Sequence, residues 1–343
     1  MCENKAVGIA VPPDSIRRVS PMPILDMPLH ELKQYQGINP RPADIDEFWD
    51  KSIAEMEALG TKYELVKADF QAPGVECWHL YFTGMGGARI HAKFVRPEKI
   101  EKPMAALCHF HGYCGASPEF STLLSYVQCG FIVAALDCRG QGGRSEDVGG
   151  VKGNTQCGHI IRGLDENDPS KLLFRNIFLD TAQLARIVMA MPEVDETRVG
   201  ALGGSQGGAL TLACAALTPT LNSAAPTYPF LCDYKRIWEM DLDKDAYQEL
   251  RDYFRRFDPL HEREEEIFTL LGYIDNQHIA HRIKAKIMML TGLMDNICPP
   301  SSQFAAYNKI TSEKQVVIYP DYGHEYLPEN GNKILTFLMQ MQK

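Results

Sequence analysis

A serine flanked by glycines lies beyond the middle of the chain, in the setting of a nucleophile. Residues 203–207 read Gly-Gly-Ser-Gln-Gly and fit the pattern G-x-S-x-G. The strand-like run 198–202 precedes this motif, and the helical pattern 208–217 follows it. Such a tight strand-to-helix turn places the serine hydroxyl at the carboxyl end of a sheet, and larger side chains in place of the glycines would clash there. An incidental serine in a glycine-rich turn is the alternative, but the context favours Ser205 as a nucleophile.

A base is needed next, because a serine hydroxyl is a poor nucleophile while it keeps its proton. His324 stands between the last strand-like run and the last helical pattern. No other histidine follows residue 283. In α/β-hydrolases the catalytic residues follow the chain order serine, acid, histidine, and His324 is placed accordingly. We therefore predict His324 as the general base, with a surface-loop histidine as the alternative.

The acid that orients the histidine has three candidates. Asp295 follows the strand-like run 287–291 after a short loop, which can bring its carboxylate to the imidazole. Asp321 is too close to His324 on the same loop, and Asp275 falls in a segment that reads as helical. We predict Asp295 as the acid; the alternative is that it serves only as a capping or turn residue.

A tetrahedral intermediate carries a negative oxygen, which must meet fixed N–H donors. The residue after the nucleophile supplies one donor, here the backbone N–H of Gln206. The second comes from a loop after an earlier strand, and the sequence His-Phe-His-Gly-Tyr at 109–113 ends such a strand. Gly112 lets the backbone approach a substrate, so the N–H of Tyr113 is the predicted second donor. The alternative is that His111 and Gly112 only shape a turn.

These residues predict attack on an ester carbonyl. His324 would accept the Ser205 proton while Asp295 holds the imidazole tautomer, and water would then hydrolyse the acyl-enzyme by the same route. No phosphate-binding G-x-x-x-x-G-K-[ST] motif is present. The histidine pairs 109/111 and 278/281 have no obvious third metal ligand. We therefore predict neither a cofactor nor a metal.

The elements that must position these residues alternate between strand and helix. The predicted strands are the runs 104–110, 131–137, 199–202, 223–226, 287–291 and 315–319, after an antiparallel pair at 75–83 and 88–95. The predicted helices are 122–128, 176–191, 206–217 and 332–341, with an earlier helix that begins at about residue 43. This alternation predicts an α/β fold with a mostly parallel central sheet flanked by helices.

Two segments depart from the alternation. Residues 1–45 are rich in proline and predict an extended N-terminal arm. Residues 229–283 are rich in charged and aromatic side chains without a clear strand, which predicts a helical cap inserted between two sheet strands. We interpret 1–343 as a single domain that contains both segments.

Composition excludes several classes of partner. Of the 343 residues, 45% are hydrophobic and 23% charged, as in globular proteins. Lys and Arg number 35 against 44 Asp and Glu, a net charge of −9 without a dense basic run, which argues against nucleic acid or an anionic membrane. The N-terminus lacks the pattern of a signal peptide. Ten cysteines occur singly, without C-x-x-C, which predicts reduced thiols and a cytoplasmic protein.

Several sequence segments together resemble a known family, the acetyl xylan esterase / cephalosporin-C deacetylase family of carbohydrate esterases. The segments are Arg-Gly-Gln-Gly at 139–142, Gly-Gly-Ser-Gln-Gly-Gly at 203–208, His-Glu at 324–325, Phe-His-Gly-Tyr at 110–113 and Pro-Phe-Leu-Cys-Asp at 229–233. The resemblance implies an α/β-hydrolase fold and deacetylation of small substrates such as acetylated xylo-oligosaccharides and cephalosporin C. It also implies a ring-like hexamer whose active sites face an internal cavity, and it supports the same triad and oxyanion donors.

Three side chains near the predicted site suggest bracing roles. Arg139 follows a buried strand, and its guanidinium could pair with a carboxylate to brace the active-site loops. We interpret Gln141 and Glu325 in the same way. The long loop 143–176 is predicted to be functional, and the resemblance implies a role at a subunit interface.

The sequence departs from the family pattern at three positions. Gly143 and Arg144 stand where small hydroxyl residues are usual, and Cys114 replaces an expected polar residue. These positions leave the substrate preference open. Two other functions also remain: a different α/β-hydrolase, such as an esterase or peptidase with another acyl preference, and a catalytically inactive binding protein of the same fold.

Overall fold

A sheet of nine strands forms the centre of the part of the chain that the structure describes. The computed structural model describes residues 25–148, 154–164 and 167–343. The strands are β1 (Tyr63–Lys67), β2 (Val75–Thr83), β3 (Arg89–Pro97), β4 (Met104–Phe110), β5 (Phe131–Leu136), β6 (Val194–Gly204), β7 (Ser223–Thr227), β8 (Lys286–Gly292) and β9 (Lys314–Tyr319). Their order across the sheet is β1-β2-β3-β5-β4-β6-β7-β8-β9. Pairing is antiparallel from β1 to β5 and parallel from β5 to β9. The predicted α/β fold is confirmed.

Helices cover both faces of this sheet. They are α1 (Leu29–Leu32), α2 (Ile45–Glu57), α3 (Phe120–Gln128), α4 (Leu173–Met189), α5 (Gln206–Leu217), α6 (Tyr234–Glu239), α7 (Gln248–Phe257), α8 (Glu264–Gly272), α9 (Asn276–Ile279), α10 (Pro300–Lys309) and α11 (Asn330–Leu338). Successive strand residues point to opposite faces. Ala106 and Cys108 accordingly join one core with α2, α4 and α5, whereas Ala105 and Leu107 join another with α3 and α11.

The parallel strands are short, apolar and buried, as expected for strands covered on both faces. Every residue of β5 is buried. By contrast, β1 was not predicted, because this edge strand has no buried residue and so shows no hydrophobic pattern. The strand that leads to the nucleophile begins at Val194, earlier than the predicted 199, since its first half includes exposed polar residues.

The chain between β7 and β8 consists of helices and loops, with α6 to α9 over residues 234–279. The described part of the N-terminal segment lies against this insertion. The Asp233 carboxylate accepts hydrogen bonds from the Tyr35 hydroxyl at 2.8 Å and from the N–H groups of Ile38 and Asn39 at 3.0 and 2.8 Å. The predicted arm also includes residues 1–24, which lie outside the described residues. Within the described ranges, no helix has both the length and the apolar character needed to cross a membrane.

Candidate active site

Ser205 occupies the sharp turn between β6 and α5. Its backbone has φ 59° and ψ −120°, a conformation that costs a residue with a side chain about 1–3 kcal/mol. Surrounding backbone groups hold this conformation: the Ser205 N–H donates to the Thr227 carbonyl at 3.0 Å, and the Ser205 carbonyl accepts from Phe230 N–H at 3.1 Å. The turn is therefore fixed by the end of β7 and by the chain that follows it.

The glycines around the serine are required by close backbone contacts. A Cβ atom at Gly203 would lie 2.6 Å from the Phe110 carbonyl oxygen, and one at Gly207 only 2.1 Å from the same oxygen. A Cβ at Gly208 would lie 2.6 Å from the Thr227 carbonyl oxygen. Because backbone cannot yield as a flexible side chain can, these positions exclude larger residues.

Ser205, His324 and Asp295 form one continuous hydrogen-bonded chain. The Nε2 atom of His324 lies 2.9 Å from Ser205 Oγ, and Nδ1 lies 2.9 Å from Asp295 Oδ2. Asp295 is fully buried, while the His324 side chain keeps 18% of its surface exposed. The three residues follow β6, β8 and β9, so the parallel strands bring them to the same edge of the sheet.

The Asp295 carboxylate is held in place by its own loop. Its Oδ1 atom accepts hydrogen bonds from the N–H groups of Ile297 at 3.0 Å and Cys298 at 2.8 Å, which leaves Oδ2 for the histidine. Of the three carboxylates considered as the acid, all within described residues, Asp295 is the one that contacts His324. Asp275 instead accepts hydrogen bonds from the backbone of Asp233 and Gln277.

The two proposed oxyanion donors come from different elements. Gln206 is the first residue of α5, and Tyr113 lies in the loop after β4. Neither of their N–H groups donates a hydrogen bond to any residue that the structure describes. His111 shapes this loop, because its Nδ1 atom bonds the Gly112 carbonyl at 2.7 Å while Nε2 accepts from the Cys138 N–H at 2.9 Å. Turn shaping by His111 is thus compatible with a donor role for Tyr113.

Gln141 links the two segments that carry these donors. Its side-chain amide and that of Gln206 exchange two hydrogen bonds, at 2.7 and 3.0 Å. The same Gln141 Oε1 atom accepts from the Cys114 N–H at 3.0 Å. Both glutamines are fully buried, so these bonds are not exposed to competition from bulk water.

Arg139 makes a buried bidentate ion pair with Asp180 of α4. Its Nε and Nη2 atoms each lie 2.7 Å from a carboxylate oxygen, and Nη1 donates to the Met85 carbonyl at 3.1 Å. The side chains are 1% and 2% exposed. The pair joins the loop after β5 to a helix and to the β2–β3 turn, and it does not contact the triad.

Comparisons with known proteins bear on this arrangement. A model of the acetyl xylan esterase (AXE1) family matches residues 22–341. The chain belongs to this family. The chain is therefore a carboxylic ester hydrolase.

Individual relatives agree with this assignment. The crystal structure of acetyl xylan esterase 1 from Thermoanaerobacterium sp. JW/SL YS485 is 56% identical, with a TM-score of 0.90 over 93% of this chain and 100% of that one. The acetyl xylan esterase from Paenibacillus sp. R4 is 33% identical, with a TM-score of 0.86 over 92% of this chain and 99% of that one. Acetyl esterase Axe7A of Xylanibacter ruminicola (strain ATCC 19189 / DSM 19721 / CIP 105475 / JCM 8958 / 23) is 24% identical over 88% of this chain and 68% of its own length.

Two of the departures from the family pattern surround a buried carboxylate of the esterase. A Cβ atom at Gly143 would lie 2.1 Å from Asp137 Cγ, so only glycine fits beside this side chain. The Arg144 N–H donates to Asp137 Oδ2 at 2.8 Å, and His91 Nδ1 lies 2.6 Å from the same oxygen. Gly143 and Arg144 therefore organise the loop after β5.

Cys114 and Glu325 make local contacts in the esterase. Cys114 adopts a positive φ of 59°, and its Sγ atom contacts the Gln156 carbonyl. The exposed Glu325 accepts a hydrogen bond from the Gly323 N–H at 3.0 Å, just before the histidine. The nine described cysteines are all free thiols.

Sequence reasoning missed several residues near the site. The ring of Tyr228 lies 4.6 Å from that of His324, centroid to centroid, and burial raises the pKa of its hydroxyl. Asp180, the partner of Arg139, was also missed, although an acid inside the apolar sequence of α4 signals a buried partner. Glu249 of α7 contacts the Tyr113 hydroxyl, and its position beside Leu250 on the buried face of an otherwise charged helix was the only hint.

Proposed function

We propose that this esterase removes acetyl groups from small acetylated substrates, such as xylo-oligosaccharides and cephalosporin C, through an acyl-enzyme at Ser205. One observation carries the proposal: the hydrogen-bonded chain Ser205–His324–Asp295 together with two backbone N–H groups that have no acceptor among the described residues. Family membership and the names of the acetyl xylan esterases that it resembles support the acetyl group and the xylan-derived substrates.

In the acylation step, Ser205 Oγ attacks the ester carbonyl carbon while its proton passes to His324 Nε2. Asp295 keeps the other proton on Nδ1 and stabilises the imidazolium that forms. The carbonyl oxygen becomes negative and accepts hydrogen bonds from the N–H groups of Gln206 and Tyr113. Collapse of this intermediate breaks the bond to the alcohol, which leaves with the proton returned by His324.

Deacylation repeats the chemistry with water in place of serine. His324 removes a proton from water, the hydroxide attacks the acetyl carbon, and the same N–H donors stabilise the second oxyanion. Ser205 recovers its proton as acetate leaves. No step needs a metal or cofactor, because histidine and the two amides supply the proton transfer and the charge stabilisation.

Initial rates on p-nitrophenyl acetate, butyrate and octanoate test the acyl preference, together with acetate release from acetylated xylo-oligosaccharides. We expect the rate to fall steeply with acyl chain length and acetate to be released from the sugar. A preference for octanoate would retain the esterase and discard the deacetylase.

Ser205→Ala is the control for the site, and covalent labelling by a fluorophosphonate reports the nucleophile directly. Labelling of the wild type but not of the variant, with loss of turnover, supports the triad. Hydrolysis retained by the variant would remove Ser205 from its role. Absence of both turnover and labelling in the wild type would favour the inactive binding protein.

We also propose a hexamer in which active sites face an internal cavity, and a location in the cytoplasm. The family resemblance supports the hexamer, and the free thiols support a reducing compartment. Sedimentation of the full chain tests the assembly, with six chain masses as the expected result and a monomer as the contrary one.

A further inference from the structure

A buried carboxylate of the insertion contacts the side chain of the proposed oxyanion donor. Glu249 of α7 is 5% exposed. Its Oε1 atom accepts a hydrogen bond from the Tyr113 hydroxyl. Its Oε2 atom accepts from the N–H groups of Ile160 and Ile161 at 2.6 and 3.1 Å. One side chain thus joins three parts of the esterase: the insertion, the 154–164 segment and the loop after β4.

The Tyr113 ring is enclosed by the same parts. It lies 5.2 Å from the ring of His159 and 5.4 Å from that of Phe230, centroid to centroid. Its hydroxyl also accepts a hydrogen bond from the His159 N–H at 3.3 Å. Phe230 in turn donates its N–H to the Ser205 carbonyl. The position of the Tyr113 side chain is therefore fixed relative to the nucleophile turn.

The backbone around Tyr113 needs such support. Gly112 precedes it, Cys114 after it has φ 59°, and Gly115 follows, so two of the four residues are glycines and one is in a left-handed conformation. The Gln141 amide holds the chain on one side, through the Cys114 N–H. On the other side, the hydrogen bond from the Tyr113 hydroxyl to Glu249 holds the chain.

A carboxylate is suited to this task. Burial raises the pKa of Glu249. The hydrogen bonds that it accepts from Tyr113 and from the N–H groups of Ile160 and Ile161 act in the opposite direction and lower this pKa. Hydrogen bonds to an ionised acceptor are shorter and about twice as strong as neutral ones. A buried charge is costly unless it is fully hydrogen-bonded, so a residue of this kind must make specific contacts.

We propose that Glu249 is a positioning residue for the oxyanion hole. By accepting a hydrogen bond from the Tyr113 hydroxyl, Glu249 keeps the Tyr113 N–H directed toward the reacting carbonyl. The inference rests on the proposed function, because Tyr113 is taken there as a donor. Glu249 acts through Tyr113 and does not itself reach the reacting atoms.

The test compares Glu249→Ala, Glu249→Gln and Tyr113→Phe in the full chain, with p-nitrophenyl acetate as substrate. Complete loss of an oxyanion donor costs about 10²- to 10³-fold in kcat, so displacement of one should cost about 10-fold. We expect that loss in Glu249→Ala and in Tyr113→Phe, with KM changed by less than about two-fold, since the interaction matters in the transition state. Glu249→Gln keeps an acceptor and should recover most of the rate.

A double variant separates positioning from general packing. If Glu249 acts through the Tyr113 hydroxyl, Glu249→Ala combined with Tyr113→Phe should cost no more than either change alone. Asp243→Ala is the matched control, because Asp243 is 2% exposed and its Oδ1 accepts from Arg251 Nη2 of the same helix at 2.6 Å, away from Tyr113. It should lower the free energy of unfolding and leave kcat unchanged.

The outcomes are distinct. The positioning role would be overturned if Tyr113→Phe kept the wild-type kcat, or if Glu249→Ala and Tyr113→Phe changed only KM. It would also be overturned by additive losses of kcat in the double variant, or by an equal loss of kcat in Asp243→Ala. Should Glu249→Ala fail to fold, Tyr113→Phe and Glu249→Gln still decide the matter. Ser205→Ala is measured in parallel. If this variant still hydrolyses the ester, the proposed active site itself is wrong. If it is inactive while Tyr113→Phe keeps the wild-type kcat, only the role of Glu249 is rejected.

Discussion

The side chains of Gln141 and Gln206 face each other as a reciprocal amide pair, each donating to and accepting from the other. Gln206 carries one proposed oxyanion donor on its backbone, and Gln141 also binds the residue that follows the other donor. One buried glutamine from the loop after β5 therefore connects the segments that carry the two N–H groups.

Gln141→Leu should disrupt catalysis more than folding. The change removes the acceptor of the Cys114 N–H and the donor to Gln206 Oε1. We expect kcat to fall by about 10- to 100-fold and the free energy of unfolding by about 1–3 kcal/mol. Initial rates and urea unfolding measure the two effects. Gln183→Leu is the control, because Gln183 is also buried but binds the Thr83 carbonyl at 2.9 Å. An equal loss of kcat in both variants would contradict the bridging role.

Ser205→Gly and Ser205→Ala should both be inactive but differ in stability. Alanine retains a Cβ at φ 59° and so retains the strain, whereas glycine adopts this conformation freely. Glycine loses more backbone entropy on folding than serine does, but the relief of strain is larger. The Ser205→Gly variant should therefore be more stable than the wild type by about 1 kcal/mol. Urea unfolding of the three proteins checks the order; a glycine variant less stable than the alanine variant would show that the turn is not strained.

Arg139→Ala should destabilise the protein strongly, because it leaves Asp180 buried without its partner. Breaking a buried pair from one side costs about 3–5 kcal/mol. Arg186→Ala is the matched control on the same helix as Asp180, since the Arg186–Glu57 pair is 40% and 45% exposed and should contribute less than about 1 kcal/mol. Denaturant midpoints compare the two. Similar losses for both would refute the importance of burial.

Asp137→Asn should lose stability in a pH-dependent way. Burial favours the neutral acid, but the hydrogen bonds from His91, the Arg144 N–H and the Ser117 N–H outweigh it and lower the pKa of Asp137 below its ordinary value of 3.8. A lowered pKa means that the stabilisation is complete above about pH 4 and is lost as the pH falls further. At pH 7 the variant should be less stable by about 1.5–3 kcal/mol.

The measurement is urea unfolding of the wild type and Asp137→Asn at pH 7, 5, 4 and 3. The difference should be constant from pH 7 to 5 and should narrow below pH 4, because Asp137 of the unfolded wild type then binds a proton while the folded carboxylate, with its lowered pKa, is still ionised. If the difference in free energy of unfolding stays the same down to pH 3, the charge of Asp137 does not stabilise the folded protein.

The central part of the fold could be predicted because its strands are short, apolar and alternate with helical segments, which implies parallel strands. The residues after β6, β8 and β9 were expected at one edge of the sheet for the same reason, and Ser205, Asp295 and His324 meet there. The strand β1 could not be predicted, since an exposed edge strand is held by backbone hydrogen bonds that leave no pattern in the sequence.

Contacts between distant side chains were the least predictable part of the site. Glu249 lies 136 residues from Tyr113, and its helix is charged enough to be mistaken for a solvent-facing one. Tyr228 follows β7 and His324 follows β9, and their rings meet because both strands flank β8, which only the three-dimensional arrangement shows. Residue type and spacing predicted the proposed reacting groups, whereas the contacts that hold them are visible only in the structure.

The helices between β7 and β8 are not an interchangeable module. Since α7 supplies the carboxylate that grips the loop after β4, a chimera that takes this segment from another hydrolase must also bring an acceptor for the tyrosine hydroxyl. A graft without one would fold on the same sheet and turn over slowly, whatever substrate its surface admits. Recombination in this region, natural or engineered, is therefore confined to exchanges that keep an acceptor for the Tyr113 hydroxyl.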